Sequence, residues 1–86
     1  MPEYVVSFRR SAEKDLRRLD RTVQRRVLQA IDGLAQIPRP DGCRKLVGTE
    51  DAFRIRVGDY RVIYTVDDAV FIVAIENIRH RREAYR

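Results

Sequence analysis

The spacing of apolar residues changes period partway along this chain. Tyr4, Val5, Val6 and Phe8 form a short apolar run closed by Arg9 and Arg10, which predicts a first strand. Ser11 stands where it can cap a helix, and Glu13 and Asp15 follow in the first turn, where carboxylates suit the positive end of the helix dipole. Ala12, Leu16 and Leu19 recur four and three apart, the spacing of one helical face. After Asp20 a second helix carries Val23, Val27, Ile31, Leu34 and Ala35 on one stripe, with Arg21, Arg25, Arg26 and Asp32 largely off it, until Pro38 and Pro40 stop it. Two amphipathic helices joined by so short a turn fold back as an antiparallel hairpin that needs a surface to cover.

The second half supplies that surface. Lys45 to Val47 is a short strand candidate, Phe53 to Val57 alternates strictly, Tyr60 to Val66 is rich in aromatic and β-branched residues, and Ala69 to Ile78 is nearly all apolar, as a central strand is. Gly58-Asp59 and Asp67-Asp68 are turn-forming pairs between these runs, so the last three strands form an antiparallel meander. The expected fold is α+β over residues 1–86 as a single domain: an N-terminal strand, a two-helix hairpin, then a four-stranded, mainly antiparallel sheet and a short C-terminal tail or helix. Helices on one face of such a sheet leave the other face open for a site.

Composition narrows what that site does. The 86 residues, 44% hydrophobic, suffice for one small core; a domain of this size buries only about 60% of its unfolded surface, so a partner covering apolar area matters to it. Basic residues outnumber acidic ones 18 to 13, and 16 of the 18 are arginine, which favours polyanionic partners over a merely solvated surface only if the arginines cluster. A single cysteine, Cys43, and a single histidine, His80, exclude an internal disulfide and a Cys/His metal cluster. The longest apolar stretch, Ala69 to Ile75, is seven residues, so neither a membrane span nor a secretory signal is expected, and a cytoplasmic location follows. No Gly-rich loop offers a phosphate cradle for nucleotide-dependent chemistry.

Position answers the clustering question. If Gly58-Asp59 is a two-residue II′ loop, Val57 pairs with Tyr60, Arg56 with Arg61, Ile55 with Val62, Arg54 with Ile63 and Phe53 with Tyr64. Alternation then sends Phe53, Ile55, Val57, Tyr60, Val62 and Tyr64 to the helices and Arg54, Arg56, Arg61 and Ile63 to the open face. Arginines directly opposite each other repel unless an anion sits between them; the competing reading is a solvated face whose arginine stems cover apolar sheet. If Asp67-Asp68 is also a two-residue loop, Val66 faces Ala69 and Arg61 lies beside Ala74. The chain closes with four arginines, His80 and Tyr85 between Ile78 and Arg86, a mixture suited to gripping a phosphate, stacking on a base and moving a proton. Metal-free RNA cleavage needs those parts: a 2′-OH that loses its proton, positive charge around a pentavalent phosphorus, and a proton for the leaving 5′ oxygen. Arginine, with a pKa far above 7, serves the charge rather than the proton, which leaves His80, Tyr85 and Lys45 as candidates for proton transfer.

The segment Phe53-Arg-Ile-Arg-Val-Gly-Asp-Tyr-Arg-Val-Ile-Tyr64, the later His80-Arg-Arg-Glu-Ala-Tyr85, the Ser-Ala-Glu-Lys-Asp-Leu at 11 to 16 and the Lys45-Leu46 element together resemble the RelE/ParE toxin superfamily, specifically its RelE branch. The resemblance spans nearly the whole chain. It implies a microbial-RNase-like fold and a toxin of a type II toxin–antitoxin system, a metal-independent mRNA endonuclease acting in the ribosomal A site by 2′-OH attack to give a 2′,3′-cyclic phosphate. It implies no cofactor, and as partners a wrapping, at least partly helical antitoxin, mRNA and the 70S ribosome, operator DNA only through the antitoxin complex, and no membrane, in a prokaryotic cytoplasm. Carried over by position, Arg61, Arg79, Tyr85 and His80 are the implied catalytic residues, and Lys45, Arg54, Arg56 and Arg81 the implied RNA-binding ones. The chain departs from the family in two respects: some members carry lysines where Arg54 and Arg56 stand, and some carry a glutamate base for which the sequence shows no counterpart. Two other readings stay open at this point, a ParE-like toxin that inhibits DNA gyrase and cleaves nothing, and a degenerate antitoxin-binding module.

Overall fold

A computed structural model describes residues 3–84 and places the elements in the order β1 (Val5–Phe8), α1 (Arg10–Arg18), α2 (Arg21–Gly33), β2 (Arg44–Lys45), β3 (Ala52–Val57), β4 (Tyr60–Asp67), β5 (Ile72–His80) and α3 (Arg81–Ala84). The strands form one mixed sheet in the order β1-β5-β4-β3-β2, with β1 parallel to β5 and the remaining pairs antiparallel. No helix among the described residues is long and apolar enough to cross a membrane.

Helices α1 and α2 lie where their apolar stripes predict, except that α2 ends at Gly33, ahead of Leu34 and Ala35 and well before Pro38. Asp20 caps α2, its side chain accepting the Val23 N–H at 3.0 Å, and the Gln24 amide donates to the Leu16 carbonyl at 3.0 Å across the joint. Ser11 does not cap α1 as expected: the cap position is Arg9, and the Ser11 hydroxyl instead donates to the Glu76 carbonyl, because β5 runs close beside the start of the helix. Ala12, Val27, Ile31 and Leu34 pack onto one sheet face against Phe53, Ile55, Val62, Tyr64, Val66, Val73, Ile75 and Ile78. Tyr64 is fully buried, stacks on Phe53 at 5.9 Å, and donates its hydroxyl to the Pro38 carbonyl at 2.8 Å. Burial pushes its phenol well above the usual range, so it serves as a donor in the core. Nearby, Arg39 pairs with Asp68 at 2.7 Å and lies 5.2 Å over the Phe53 ring, while the Tyr4 hydroxyl donates to the same Asp68. These bonds tie the segment after α2 to the β4–β5 turn. They also hold the Asp68 carboxyl below its ordinary value, Arg39 first and Tyr4 second.

Two strand boundaries and one register differ from expectation, each for a local reason. The strand expected at Lys45 to Val47 is Arg44–Lys45, since Leu46 N–H bonds Ala52 and the chain turns at Gly48, where φ is +82°. The β4–β5 connection is longer than the Asp67-Asp68 pair, because the Asp67 carboxylate accepts both Ala69 and Val70 N–H groups and Phe71 adopts a left-handed φ of 57°. Hence Val66 pairs with Val73 rather than Ala69. Finally, β5 carries a bulge: Ile63 pairs with Asn77 but Tyr64 with Ile75, so Glu76 is the extra residue and both Ile75 and Ile78 reach the core.

Candidate nucleic-acid interface

The site is built on the sheet face that the helices leave uncovered. Gly58 at φ +60° makes the tight turn between β3 and β4, and the observed register is the one the two-residue loop predicts, with Arg56 opposite Arg61 and Arg54 opposite Ile63. The longer β4–β5 connection and the bulge correct the expected neighbour on the other side. Arg61 stands opposite Arg79, not beside Ala74. Arg44 stands opposite Arg54 on β2. By alternation, Arg44, Arg54, Arg56, Arg61 and Arg79 share one face, with Ile63 and Asn77 among them.

The row Arg56-Arg61-Arg79 crosses three adjacent strands, like charges directly opposite twice over, an arrangement that costs folding energy and gains from a bound anion. A cleft of about 240 Å³ opens at one end of the row, lined by Arg56, Gly58, Asp59, Tyr60, Arg61 and Arg81. A second hollow of about 380 Å³ lies between Gly42, Arg44, Arg54 and Arg56. Arg81 is placed by its backbone, whose N–H donates to the Asp59 carbonyl at 2.7 Å, and by a 3.9 Å ion pair with the Asp59 carboxylate. Such spaced guanidinium groups suit the bidentate recognition of successive phosphates.

The residues named from the sequence divide into groups. Arg54, Arg56, Arg61, Arg79 and Arg81 come together around this face. Lys45 does not: opposite Phe53, it points to the helix side of the exposed edge strand, and Arg44 takes the place on the open face. His80 is likewise turned away. It pairs with Tyr60, their rings edge-to-face at 5.1 Å, and its Nδ1 accepts the Arg82 N–H at 3.2 Å, which in the neutral ring puts the proton on Nε2. Together with Asp15, Arg18, Leu19, Ile78 and Arg79 these two rings line a separate cleft of about 310 Å³. Tyr85 lies outside the described residues. Sequence reasoning missed Arg44, because the short β2 shows no alternation of its own and only its pairing with Arg54 assigns its face. No group of three or more His, Cys, Asp or Glu among the described residues is arranged to hold a metal.

Comparison with known proteins gives a consistent picture. Residues 6–85 match the family model described as the ParE toxin of type II toxin–antitoxin system, parDE. Toxin RelG of Mycobacterium tuberculosis is 34% identical over 87 aligned residues, covering 96% of this chain and 97% of the relative. Among solved structures, the archaeal RelE–RelB complex from Pyrococcus horikoshii superposes with a TM-score of 0.82 at 34% identity, covering 92% of this chain and 96% of the other. The isolated E. coli RelE toxin superposes with a TM-score of 0.80 at 26% identity, covering 95% of each chain.

Proposed function

The chain belongs to the RelE/ParE toxin superfamily, on its RelE branch, and from that premise we propose that it is a metal-independent endoribonuclease that cleaves mRNA in the ribosomal A site and so stops translation. The observation that carries the nuclease reading is the cross-strand row Arg56-Arg61-Arg79 on the open face, extended by Arg54 and Arg44. A toxin that only docked on another protein gives no reason to set like charges opposite one another twice.

In this reading the ribose 2′-OH attacks its own 3′ phosphate, the bond to the 5′ oxygen breaks, and the products are a 2′,3′-cyclic phosphate and a 5′-OH. Arg61 and Arg79 hold the non-bridging oxygens as charge builds on the phosphorane. Neither moves a proton, since a guanidinium keeps its own. Proton transfer falls to Tyr85, which orients or deprotonates the 2′-OH, and to solvent water, which protonates the leaving 5′ oxygen; His80, expected to assist, is turned to the helix side of β5 and takes no part. Arg44, Arg54, Arg56 and Arg81 hold the RNA or ribosomal RNA, with Arg44 in the place expected of Lys45. The solved complexes pair RelE with RelB, and we assign this chain a cognate antitoxin of the same kind.

Mapping transcript 5′ ends after brief induction tests the reading. In-frame breaks within codons support it, a DNA-damage response without breaks points instead to gyrase inhibition, and neither outcome leaves an antitoxin-binding module. Full toxicity and RNA cleavage in an Arg61→Ala, Tyr85→Ala double variant would overturn the site assignment.

A further inference from the structure

β5 outruns its neighbour. The parallel pairing with β1 ends at Phe8 opposite Ile75, with a last bond from the Arg9 N–H to the Ile75 carbonyl at 2.8 Å, while β5 continues to His80. Beyond that point α1 supplies the contacts that a strand would have made. The Ser11 hydroxyl donates to the Glu76 carbonyl at 2.5 Å, and the Asp15 carboxylate accepts the Ile78 N–H at 2.9 Å. Ser11 and Asp15 are four residues apart, hence stacked on one helix face, and together they satisfy an acceptor and a donor two residues apart along β5. The Asp15 oxygen that holds Ile78 also lies 4.0 Å from Nε of Arg79, and its side chain is only 14% exposed. One largely buried carboxylate therefore grips the backbone at Ile78 and faces the guanidinium of the next residue, the one that stands opposite Arg61.

We propose that Asp15 is the positioning residue for Arg79. Its backbone bond fixes the strand end against α1 immediately after the bulge, where the ladder to β1 no longer does so. Its charge engages the guanidinium on the Nε side and directs the terminal nitrogens of the fork away from the helix. Asp15 touches no substrate in this assignment; it sets where Arg79 meets the phosphate. The catalytic part of the proposal rests on the nuclease reading above, whereas the backbone part does not.

The test uses the purified full-length toxin with Asp15→Asn and Asp15→Ala, each alone and combined with Arg79→Ala. Asparagine keeps an acceptor for Ile78 but removes the charge beside Arg79. For D15N the expectation is an unchanged melting temperature, a protected Ile78 amide, and a kcat at least about tenfold lower with KM within about twofold, a misplacement of about 1 Å being able to cost about 100-fold. For D15A the Ile78 amide exchanges at least about tenfold faster as the bond is lost. In the Arg79→Ala background D15N lowers the residual rate no further, which a general structural defect would not reproduce. Wild-type cleavage by D15N, equal losses with and without Arg79, or unchanged Ile78 exchange in D15A each overturns the proposal. Should the wild-type toxin cleave no RNA, the nuclease reading fails by itself. The Ile78 amide and the Arg79 Nε–H resonance then decide, and a resonance unmoved between wild type and D15N overturns the assignment.

Discussion

Replacing Arg56 by glutamine separates a specific RNA face from a generally basic surface. Arg56 is exposed at the β3 end of the arginine row and lines both hollows of that face, so its loss removes one phosphate contact while leaving the core untouched. Each phosphate neutralised on a single strand contributes about −0.7 to the slope of log K against log salt concentration. If about four of the face arginines meet phosphates, the slope is about −2.8, and raising salt from about 50 to about 200 mM weakens binding about 50-fold. Arg56→Gln brings the slope to about −2.1 and the weakening to about 18-fold. The assay is fluorescence anisotropy of a labelled single-stranded RNA bearing 2′-O-methyl groups, which removes the attacking hydroxyl and so isolates binding from cleavage. Arg25→Gln, on the exposed side of α2, is the matched control and leaves the slope unchanged. Equal changes for the two variants, or an unchanged slope for Arg56→Gln, refute the claim that the open face is where RNA lies.

Four further substitutions bear on the fold. Asp68 is held below its ordinary pKa by Arg39 and Tyr4, so its contribution to stability is present above the unfolded value of about 3.9 and is lost as pH falls through the lower folded value; Asp68→Asn is less stable than wild type at pH 7 in urea, and the gap closes on acidification through that range. Tyr64→Phe removes the hydroxyl bonded to the Pro38 carbonyl and costs about 1 kcal/mol in urea unfolding. Gly58→Ala costs about 1–2 kcal/mol through its left-handed φ rather than through crowding, because an added Cβ meets the Arg26 guanidinium at an ordinary 3.7 Å; Gly33→Ala, with open space around the added atom, is neutral or stabilising by about 1 kcal/mol at most.

The sequence made some of this legible and concealed the rest for physical reasons. Gly58-Asp59 leaves room for one turn and one register, so the sequence alone makes Arg54, Arg56 and Arg61 neighbours on one face. Asp67-Asp68 looked like the same device, but Ala69, Val70 and Phe71 are apolar residues in an exposed connection, and an apolar stretch reads as strand whether or not it is one. That error moved β5 along β4 and hid the pairing of Arg61 with Arg79. Chemistry and resemblance point to Lys45 and His80, yet the direction of a side chain at a strand end depends on pairing with a distant segment. Asp15 gave no sign beyond its suitability for a helix N-terminus, since its bond to Ile78 spans 63 positions of chain.

The bulge at Glu76 makes β5 two independently phased half-strands. Upstream, Val73 and Ile75 keep step with the core; downstream, the count begins again, so that Ile78 goes inward and Arg79 outward. In a regular strand, losing one residue would turn every following side chain over, exchanging a guanidinium for an imidazole on the open face. Here the loss of Glu76 itself would leave all of them facing as they do now, at the expense of the contact with Ser11. Glu76 is thus the point in the strand where chain length can change without inverting the chemistry beyond it.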